Sequence, residues 1–331
     1  MTSPAIPTSP FVSTGDLPGP DAVRSLVEAA YARFRDDASG KLADYIPALA
    51  EADPSSFGIC VANTRGEAFM VGDAAQPFSI QSVSKPFVFA LVCEALGAGE
   101  AATRLGVDAT GLPFDSIMAM ELRADGTSNP LVNAGAIAAT SLVPGIDAED
   151  RWHRIRQGLS RFAGRELECD ERVYASEAAT NQRNAGLAHL LRGHGRLYCD
   201  PDEAVDVYTR QCALLVSARD LAMMGATLAS GGLHPVTGEQ VVSAATCQHV
   251  LAVMATAGLY ERSGSWLYDV GLPGKSGVSG GILTIAPGKG AVATFSPPLD
   301  AAGNSVRGQH VMRFLSEHLG LNLFISAPAA R

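Results

Sequence analysis

The chain has 331 residues, of which 47% are hydrophobic and 18% are charged, and its formal net charge is −9. This composition is typical of a globular protein with a sizeable buried core. The acidic balance argues against nucleic acid and against an anionic membrane surface, because both are bound through clustered Lys and Arg.

The first twenty residues are rich in Pro, Ser and Thr and have neither a basic start nor a continuous apolar run. We expect residues 1–20 to form a mobile tail rather than a signal peptide. No stretch of about 18 apolar residues follows, so no membrane-spanning helix is predicted. The six cysteines form no C-x-x-C pair and show no zinc-like spacing to histidines. Free thiols in the cytoplasm are therefore expected.

The first predicted element is a helix over residues 21–37, where apolar residues recur at helical spacing. Two β-rich runs, 57–63 and 67–72, flank a Thr-Arg-Gly turn and predict a hairpin. A second helix is predicted over residues 83–96.

The middle of the chain, residues 97–255, shows helical periodicity and little indication of strands. One helix in this stretch is predicted to be capped by Ser217 and to end before two glycines. Two further β-rich runs, 277–286 and 290–296, precede a closing helix over 304–318.

Hairpins near both ends predict an α+β fold in which the two ends build one antiparallel sheet flanked by helices, with a helical lobe beside it. We expect residues 21–325 to form a single catalytic domain. Its sheet lobe would comprise about 21–80 and 256–325, and its helical lobe about 81–255.

The segment QSVSKPF, residues 81–87, places Ser82 and Lys85 three positions apart and therefore on one side of a helix. A serine hydroxyl becomes a nucleophile when a base takes its proton, and a lysine is such a base when burial makes it neutral. A helix start also offers free N–H groups to an oxyanion. Taken alone, the pair is better explained by a helix start with a solvated lysine.

A second motif changes that balance, because Lys275-Ser276-Gly277 begins the run predicted as the last part of the sheet. S-x-x-K followed by K-[ST]-G on a sheet strand is the arrangement of the penicillin-recognising serine enzymes. The middle motif of that group, S-D-N or Y-x-N, is missing from the helical stretch.

In combination, the motifs of residues 40–320 resemble the serine-dependent glutaminases, which share the β-lactamase/transpeptidase-like fold. The segments that carry the resemblance are DYIP (44–47), QSVSKP (81–86), NPLVNAGAI (129–137), 176–184, 208–212, 258–260, GLPGKSGV (271–278) and SPPLD (296–300).

The resemblance implies hydrolysis of L-glutamine to L-glutamate and ammonia through a glutamyl ester on Ser82. Lys85 would act as the base, and Tyr260 would relay protons and deliver one to the leaving nitrogen. The backbone N–H groups of Ser82 and Val278 would form the oxyanion hole.

The resemblance also implies a set of substrate contacts. Glu177 would pair with the ammonium group of glutamine, although a glutamate of this kind taken alone is usually a solvated helix charge. Asn184 follows seven positions later, which predicts the same face of one helix. The remaining expected contacts are Asn133, Tyr208, Tyr45, Ser82, Tyr260 and Val278.

No metal-ligand spacing or Ser-His-Asp arrangement is present in the sequence, so no metal and no cofactor are expected. The resemblance implies a homo-oligomer, a dimer or a tetramer, and we expect a homotetramer. Two alternatives stay open on the residues alone. One is a serine esterase or amidase of the β-lactamase fold that acts on another small substrate, and the other is a non-catalytic glutamine-binding protein.

Overall fold

The structure is a computed structural model that describes residues 15–123 and 125–325. Residues 1–14 of the tail expected over 1–20 lie outside the described residues. No helix in the described ranges is long and apolar enough to cross a membrane.

Strands from both ends of the chain build one five-stranded antiparallel sheet. The seven strands of the described residues are β1 (Gly58–Asn63), β2 (Ala68–Gly72), β3 (Phe78–Ser79), β4 (Leu215–Val216), β5 (Gly274–Ser276), β6 (Gly281–Ala286) and β7 (Gly290–Phe295). The sheet has the order β2-β1-β7-β6-β5, and Cys60 of β1 lies opposite Ala293 of β7. The predicted α+β architecture, with a sheet built from the two ends, is confirmed.

Thirteen α-helices occur within the described residues. They are α1 (Pro20–Phe34), α2 (Lys85–Leu96), α3 (Ala98–Leu105), α4 (Met118–Glu121), α5 (Asn133–Leu142), α6 (Ala148–Ala163), α7 (Glu171–Ala179), α8 (Gln182–Gly193), α9 (Pro201–Cys212), α10 (Ala218–Ala229), α11 (Ala244–Ala257), α12 (Ser263–Val270) and α13 (Val306–His318). Short 3₁₀ turns cover Pro47–Glu51, Gln81–Ser84 and Tyr260–Arg262.

Several predicted boundaries differ from the structure. Helix α1 ends at Phe34, before the predicted residue 37. Only residues 281–286 of the predicted strand 277–286 form a strand, β6, because residues 277–280 form a turn that separates it from β5. Gly280 has a φ of +100°, which only glycine adopts readily. Lys275 therefore lies on an edge strand, and Val278 lies in the turn after it.

The sheet carries a hydrophobic layer on each face, since side chains alternate along a strand. Ile59 and Val61 of β1 pack with α1 and α13, whereas Cys60 and Ala62 belong to the core shared with α10 and the helices beyond it. Helix α10 begins with the predicted cap, a capping box in which Ser217 and Asp220 bond each other's backbone N–H.

A second, two-stranded sheet was missed in the sequence. Strand β3 pairs antiparallel with β4, so that Phe78 lies opposite Val216. Each strand has only two residues, too few to show alternation. The pair fixes the chain immediately before the segment that carries Ser82.

Candidate active site

The turn Gln81–Ser84 presents Ser82 at the entrance of α2. Gln81 has a φ of +49°, a left-handed conformation that is uncommon for residues other than glycine and that is found preferentially at functional sites. The Ser84 hydroxyl donates to the Gln81 carbonyl at 2.8 Å and closes the turn. Ser82 is 8% exposed, so its hydroxyl lies in a nearly dry environment.

Lys85, the first residue of α2, is 1% exposed. Its Nζ donates to the Asn133 Oδ1 at 2.7 Å, an amide oxygen rather than a carboxylate. Burial lowers the pKa of Lys85 to about 8, because desolvation disfavours the ammonium. A substantial fraction of this amine is therefore neutral slightly above neutral pH.

Tyr260 lies close to Lys85. The Lys85 Nζ lies 5.9 Å from the centre of the Tyr260 ring. Tyr260 has a φ of +56°, so that its backbone, like that of Gln81, is strained. Burial raises the pKa of the phenol to about 12, and the neighbouring Ser82 and Ser276 act in the opposite direction. The structure thus brings Ser82, Lys85 and Tyr260 together.

The turn over residues 277–280 packs against the segment that carries Ser82. A Cβ atom at Gly277 would lie 3.0 Å from the Ile80 carbonyl oxygen and 3.2 Å from a methyl group of Val83. The next residue, Val278, is buried. The main chains of Ser82 and Val278 therefore belong to two segments in direct contact.

A cleft of about 400 Å³ lies beside these residues. It is lined by Tyr45, Ile46, Phe114, Asp115, Asn133, Glu177, Thr180, Asn181, Arg183 and Asn184. The cleft thus gathers four of the predicted substrate contacts, Tyr45, Asn133, Glu177 and Asn184, from four separate segments.

Asn133 is the central hydrogen-bonding group of this cleft. Its Oδ1 accepts from Lys85 and also from the Tyr208 hydroxyl, at 3.3 Å. Its Nδ2 donates to the Asn184 Oδ1 at 3.0 Å. Tyr208, fully buried on α9, supports Asn133 from behind. One amide thus links the lysine to the wall of the cleft.

Glu177 is buried, 8% exposed, and is not a solvated helix charge. The Gln81 Nε2 donates to its Oε2 at 3.2 Å. Burial raises the pKa of this carboxyl to about 7, with Gln81 and Lys85 acting in the opposite direction. The expectation that Glu177 and Asn184 share one helix is wrong, because Glu177 lies on α7 and Asn184 on α8. A break at Thr180 separates the two helices, and tertiary packing brings the two side chains to one cleft.

Several residues of the cleft region were not assigned from the sequence. Gln81 and Arg183 lie inside the segments that carry the resemblance, which was the available indication of their importance. Phe114 and Asp115 had no such indication. The Phe114 carbonyl accepts from the Asn133 N–H at 2.8 Å and its ring lies 5.1 Å from that of Tyr260, while Asp115 pairs with Arg183 at 2.7 Å.

No group of three or more His, Cys, Asp or Glu side chains able to hold a metal ion occurs among residues 15–123 and 125–325.

A sequence profile described as Glutaminase matches residues 40–324. The chain belongs to the glutaminase family. It is 56% identical over 318 residues to Glutaminase 2 of Yersinia pestis, covering 96% of this chain and 94% of that protein. It is 49% identical over 302 residues to the glutaminase of Mycobacterium ulcerans, covering 91% of this chain and 94% of that protein.

Solved glutaminase structures have the same fold. The probable glutaminase ybaS superposes with a TM-score of 0.91 at 44% identity and covers 93% of this chain and 100% of its own. A probable glutaminase from Bacillus subtilis complexed with 6-diazo-5-oxo-L-norleucine gives 0.81 at 30% identity, covering 96% of this chain and 100% of its own. Mglu in its glutamate form superposes with a TM-score of 0.88 at 39% identity, covering 92% of this chain and 70% of its own. The predicted family and β-lactamase-like fold are confirmed.

Proposed function

We propose that the protein hydrolyses L-glutamine to L-glutamate and ammonia, with Ser82 as the nucleophile and Lys85 as its base. The observation that carries this proposal is the environment of Lys85. Its amine is buried, is bonded to the amide oxygen of Asn133, and has its pKa lowered to about 8 by burial. A neutral amine of this kind, three residues from a serine in a dry turn, is suited to accept the serine proton.

In the first half-reaction, the Ser82 Oγ attacks the side-chain amide carbon while its proton passes to the Lys85 Nζ. The oxyanion that forms is bound by the backbone N–H groups of Ser82 and Val278. Each such donor is typically worth about 2.7–4 kcal/mol. Tyr260 donates its proton to the leaving nitrogen, ammonia departs, and the phenolate recovers a proton from the Lys85 ammonium. A γ-glutamyl ester remains on Ser82, and water then hydrolyses it to glutamate.

The cleft beside Ser82 would hold the amino-acid end of glutamine. Glu177 is the partner for the α-ammonium, because it is the buried carboxylate of the cleft lining. Asn133, Asn184, Tyr45 and Tyr208 supply or support the hydrogen bonds to the remaining polar atoms. The glutamate form of Mglu, a relative of the same fold, agrees with a site that fits this amino acid.

We further propose that residues 21–325 act as one catalytic unit, with a sheet lobe of about 21–80 and 256–325 and a helical lobe of about 81–255. We expect the protein to assemble as a homotetramer. We also expect it to be located in the cytoplasm, where the six free cysteines of the described residues would stay reduced. Light scattering of the purified protein and fractionation of the cell would test the two expectations separately.

The direct test is ammonia release from L-glutamine, without ATP or added metal, by the parental protein and by Ser82→Ala and Lys85→Ala. Each substitution should lower kcat on the order of 10³-fold or more. Lys289→Ala is the matched control, because Lys289 is a partly exposed lysine whose Nζ bonds the Gly320 carbonyl far from the cleft. Ammonia release at the parental rate by both cleft variants would refute the mechanism.

Asparagine, run in parallel, measures substrate choice. Glutamine should be preferred, and one methylene is worth about 1–3 kcal/mol in a pocket. Faster turnover of asparagine would contradict the proposed substrate while leaving the serine chemistry intact.

A further inference from the structure

Gln211 is a fully buried amide on α9 to which the mechanism above gives no role. A side-chain amide inside a protein is unfavourable for the fold unless its polar atoms are bonded. Here both ends of the amide are bonded. The Thr140 hydroxyl of α5 donates to the Gln211 Oε1 at 3.0 Å, and the Gln211 Nε2 donates to the Ser84 hydroxyl oxygen at 3.3 Å. The amide thus connects α5 and α9 to the turn that carries Ser82.

The Ser84 hydroxyl extends this connection to the Gln81 carbonyl. Because its oxygen accepts from Gln211, its single hydrogen is available for another acceptor, and it donates to the Gln81 carbonyl at 2.8 Å. The segment is a 3₁₀ turn, in which backbone hydrogen bonds have poorer geometry than in an α-helix. The side-chain bond therefore adds to the hold on this carbonyl. The Cys212 thiol also lies within hydrogen-bonding reach of Ser84, but a thiol is a weak partner.

The Gln81 carbonyl and the Ser82 N–H belong to one peptide unit. A trans peptide is planar, so that its C=O and N–H bonds point in opposite directions. A contact that fixes the Gln81 carbonyl therefore also fixes the direction of the Ser82 N–H. This peptide needs such support, because the φ of +49° at Gln81 is a strained conformation that persists only where surrounding contacts maintain it.

We propose that Gln211 and Ser84 are positioning residues for the reaction, which together direct the Ser82 N–H towards the oxyanion. The proposal rests on the proposed function, which assigns that N–H to the oxyanion hole. Both side chains are 0% exposed, and neither lines the cleft that would hold the amino-acid end of glutamine. They act through the peptide unit between Gln81 and Ser82 rather than by contact with the substrate.

Helix α9 supports the active site at two points. Tyr208 and Gln211 are three positions apart and therefore lie on one side of this helix. The Tyr208 hydroxyl donates to the Asn133 Oδ1, which also accepts from Lys85. Gln211 bonds the turn that carries Ser82. The same helix face thus supports both the amide that binds the base and the turn that presents the nucleophile.

The experiment measures Ser84→Ala, Gln211→Met and the double variant for turnover of L-glutamine and for inhibition by L-glutamate and L-norvaline. The two inhibitors share the amino-acid end of the substrate. Only glutamate brings an oxygen to the oxyanion hole, because the norvaline side chain ends in a methyl group at that carbon.

A lost oxyanion donor typically costs about 10²–10³-fold in kcat, and a misdirected one should cost part of that. We therefore expect kcat to fall on the order of 10–100-fold in Ser84→Ala and about tenfold in Gln211→Met. The inhibition constant of glutamate should rise in both variants, whereas that of norvaline should stay at the parental value. The double variant should be no slower than Ser84→Ala, because Gln211 acts through that hydroxyl.

Ser316→Ala is the matched control for a merely structural role. Ser316 on α13 is also buried, and its hydroxyl donates to the Val270 carbonyl at 2.6 Å. Its loss should lower the melting temperature about as much as Ser84→Ala does, since each removes one buried hydrogen bond. It should leave kcat and both inhibition constants at the parental values.

Gln211→Met keeps the proposal testable if Ser84→Ala does not fold. Without the amide, the Thr140 hydroxyl retains the Ala136 carbonyl at 2.9 Å as an acceptor, and the Ser84 hydroxyl retains the Gln81 carbonyl. No hydroxyl hydrogen is left without a partner, so the fold should tolerate this substitution.

Three results would overturn the proposal: parental kcat in either single variant, losses that multiply in the double variant, or an equal rise in the inhibition constants of glutamate and norvaline. The last result would mean that the substitutions disturb the whole cleft. Ammonia release at the parental rate by Ser82→Ala would instead refute the proposed function. If only the positioning role fails, Ser82→Ala stays inactive, so the two failures are distinguished by that variant.

Discussion

Glu177→Gln is predicted to stabilise the substrate-free protein at alkaline pH while it abolishes glutamine binding. The carboxyl is 8% exposed, and burial raises its pKa from the ordinary 4.5 to about 7. One pKa unit corresponds to about 1.36 kcal/mol, so ionised Glu177 destabilises the folded state by about 3 kcal/mol relative to its protonated form. Glutamine has nearly the same shape, carries no charge, and keeps an oxygen that accepts from Gln81.

The direction in which stability changes with pH follows from whether the folded or the unfolded chain holds the Glu177 proton. Below pH 4.5 the carboxyl is protonated in both the folded and the unfolded chain, and it contributes nothing to the pH dependence. Between the two pKa values the unfolded chain has released the proton and the folded one retains it, so that stability falls as pH rises and reaches its lower level above pH 7. The stability gain of Glu177→Gln over the parent should therefore be about 2.5 kcal/mol larger at pH 8 than at pH 5.

Urea unfolding at pH 5 and pH 8 measures this difference from the midpoints at constant slope. Glu171→Gln is the matched control, because Glu171 is an exposed glutamate in the first turn of the same helix. The control should change stability by the same small amount at both pH values. L-Glutamine should raise the melting temperature of the parent and of the control and should leave that of Glu177→Gln unchanged. A pH-independent difference between parent and Glu177→Gln would refute the buried, proton-retaining carboxyl.

Three further outcomes are expected. Because protonated Lys85 cannot accept the Ser82 proton, and its pKa is lowered to about 8, kcat/KM should rise about tenfold per pH unit between pH 7 and pH 8 and level off above it, as read from a pH–rate profile. Below pH 7 the fall should be steeper, because Glu177 then also takes up its proton. A flat profile between pH 6 and pH 9 would contradict this assignment. Gly277→Ala introduces a Cβ 3.0 Å from the Ile80 carbonyl oxygen and should displace the Val278 N–H. We expect kcat to fall on the order of 10–100-fold while the melting temperature stays nearly the same. An unchanged kcat would show that the turn is not part of the oxyanion hole. Tyr208→Phe removes one neutral hydrogen bond of 3.3 Å to Asn133 and should lower kcat/KM by only about 2–10-fold. A loss as large as that of Ser82→Ala in the same assay would show that the Tyr208 hydroxyl itself takes part in the chemistry.

The elements that depend on local pattern were predictable from the sequence. Ser82 and Lys85 lie three residues apart at a helix start, and Lys275 belongs to a short motif. Both patterns can therefore be recognised in the sequence without knowledge of long-range contacts. The strands at the two ends show their β character locally, whereas their order, with β7 between β1 and β6, is set by packing. The cap at Ser217 was readable because a side chain bonds the backbone only three residues away.

The properties that depend on distant partners were not readable. The burial of Glu177 is created by residues far from it in sequence, such as Gln81, which bonds it from 96 positions away. The left-handed backbone at Gln81 and Tyr260 has no marker in residue type, since neither is glycine. The helix break at Thr180 was hidden by continuous helical periodicity, and the inference that placed Asn184 on the same helix as Glu177 failed for that reason.

The central claim is a covalent bond between the Ser82 oxygen and the side-chain carbonyl carbon (Cδ) of the substrate. Acid quenching of the protein during turnover of L-glutamine, followed by mass spectrometry of its peptides, measures that bond directly. The account predicts a mass increase of one glutamyl group on the peptide containing Ser82, absent in Ser82→Ala and absent without glutamine. A protein that releases ammonia from glutamine at full rate with no such adduct, or with the adduct on another residue, would contradict it.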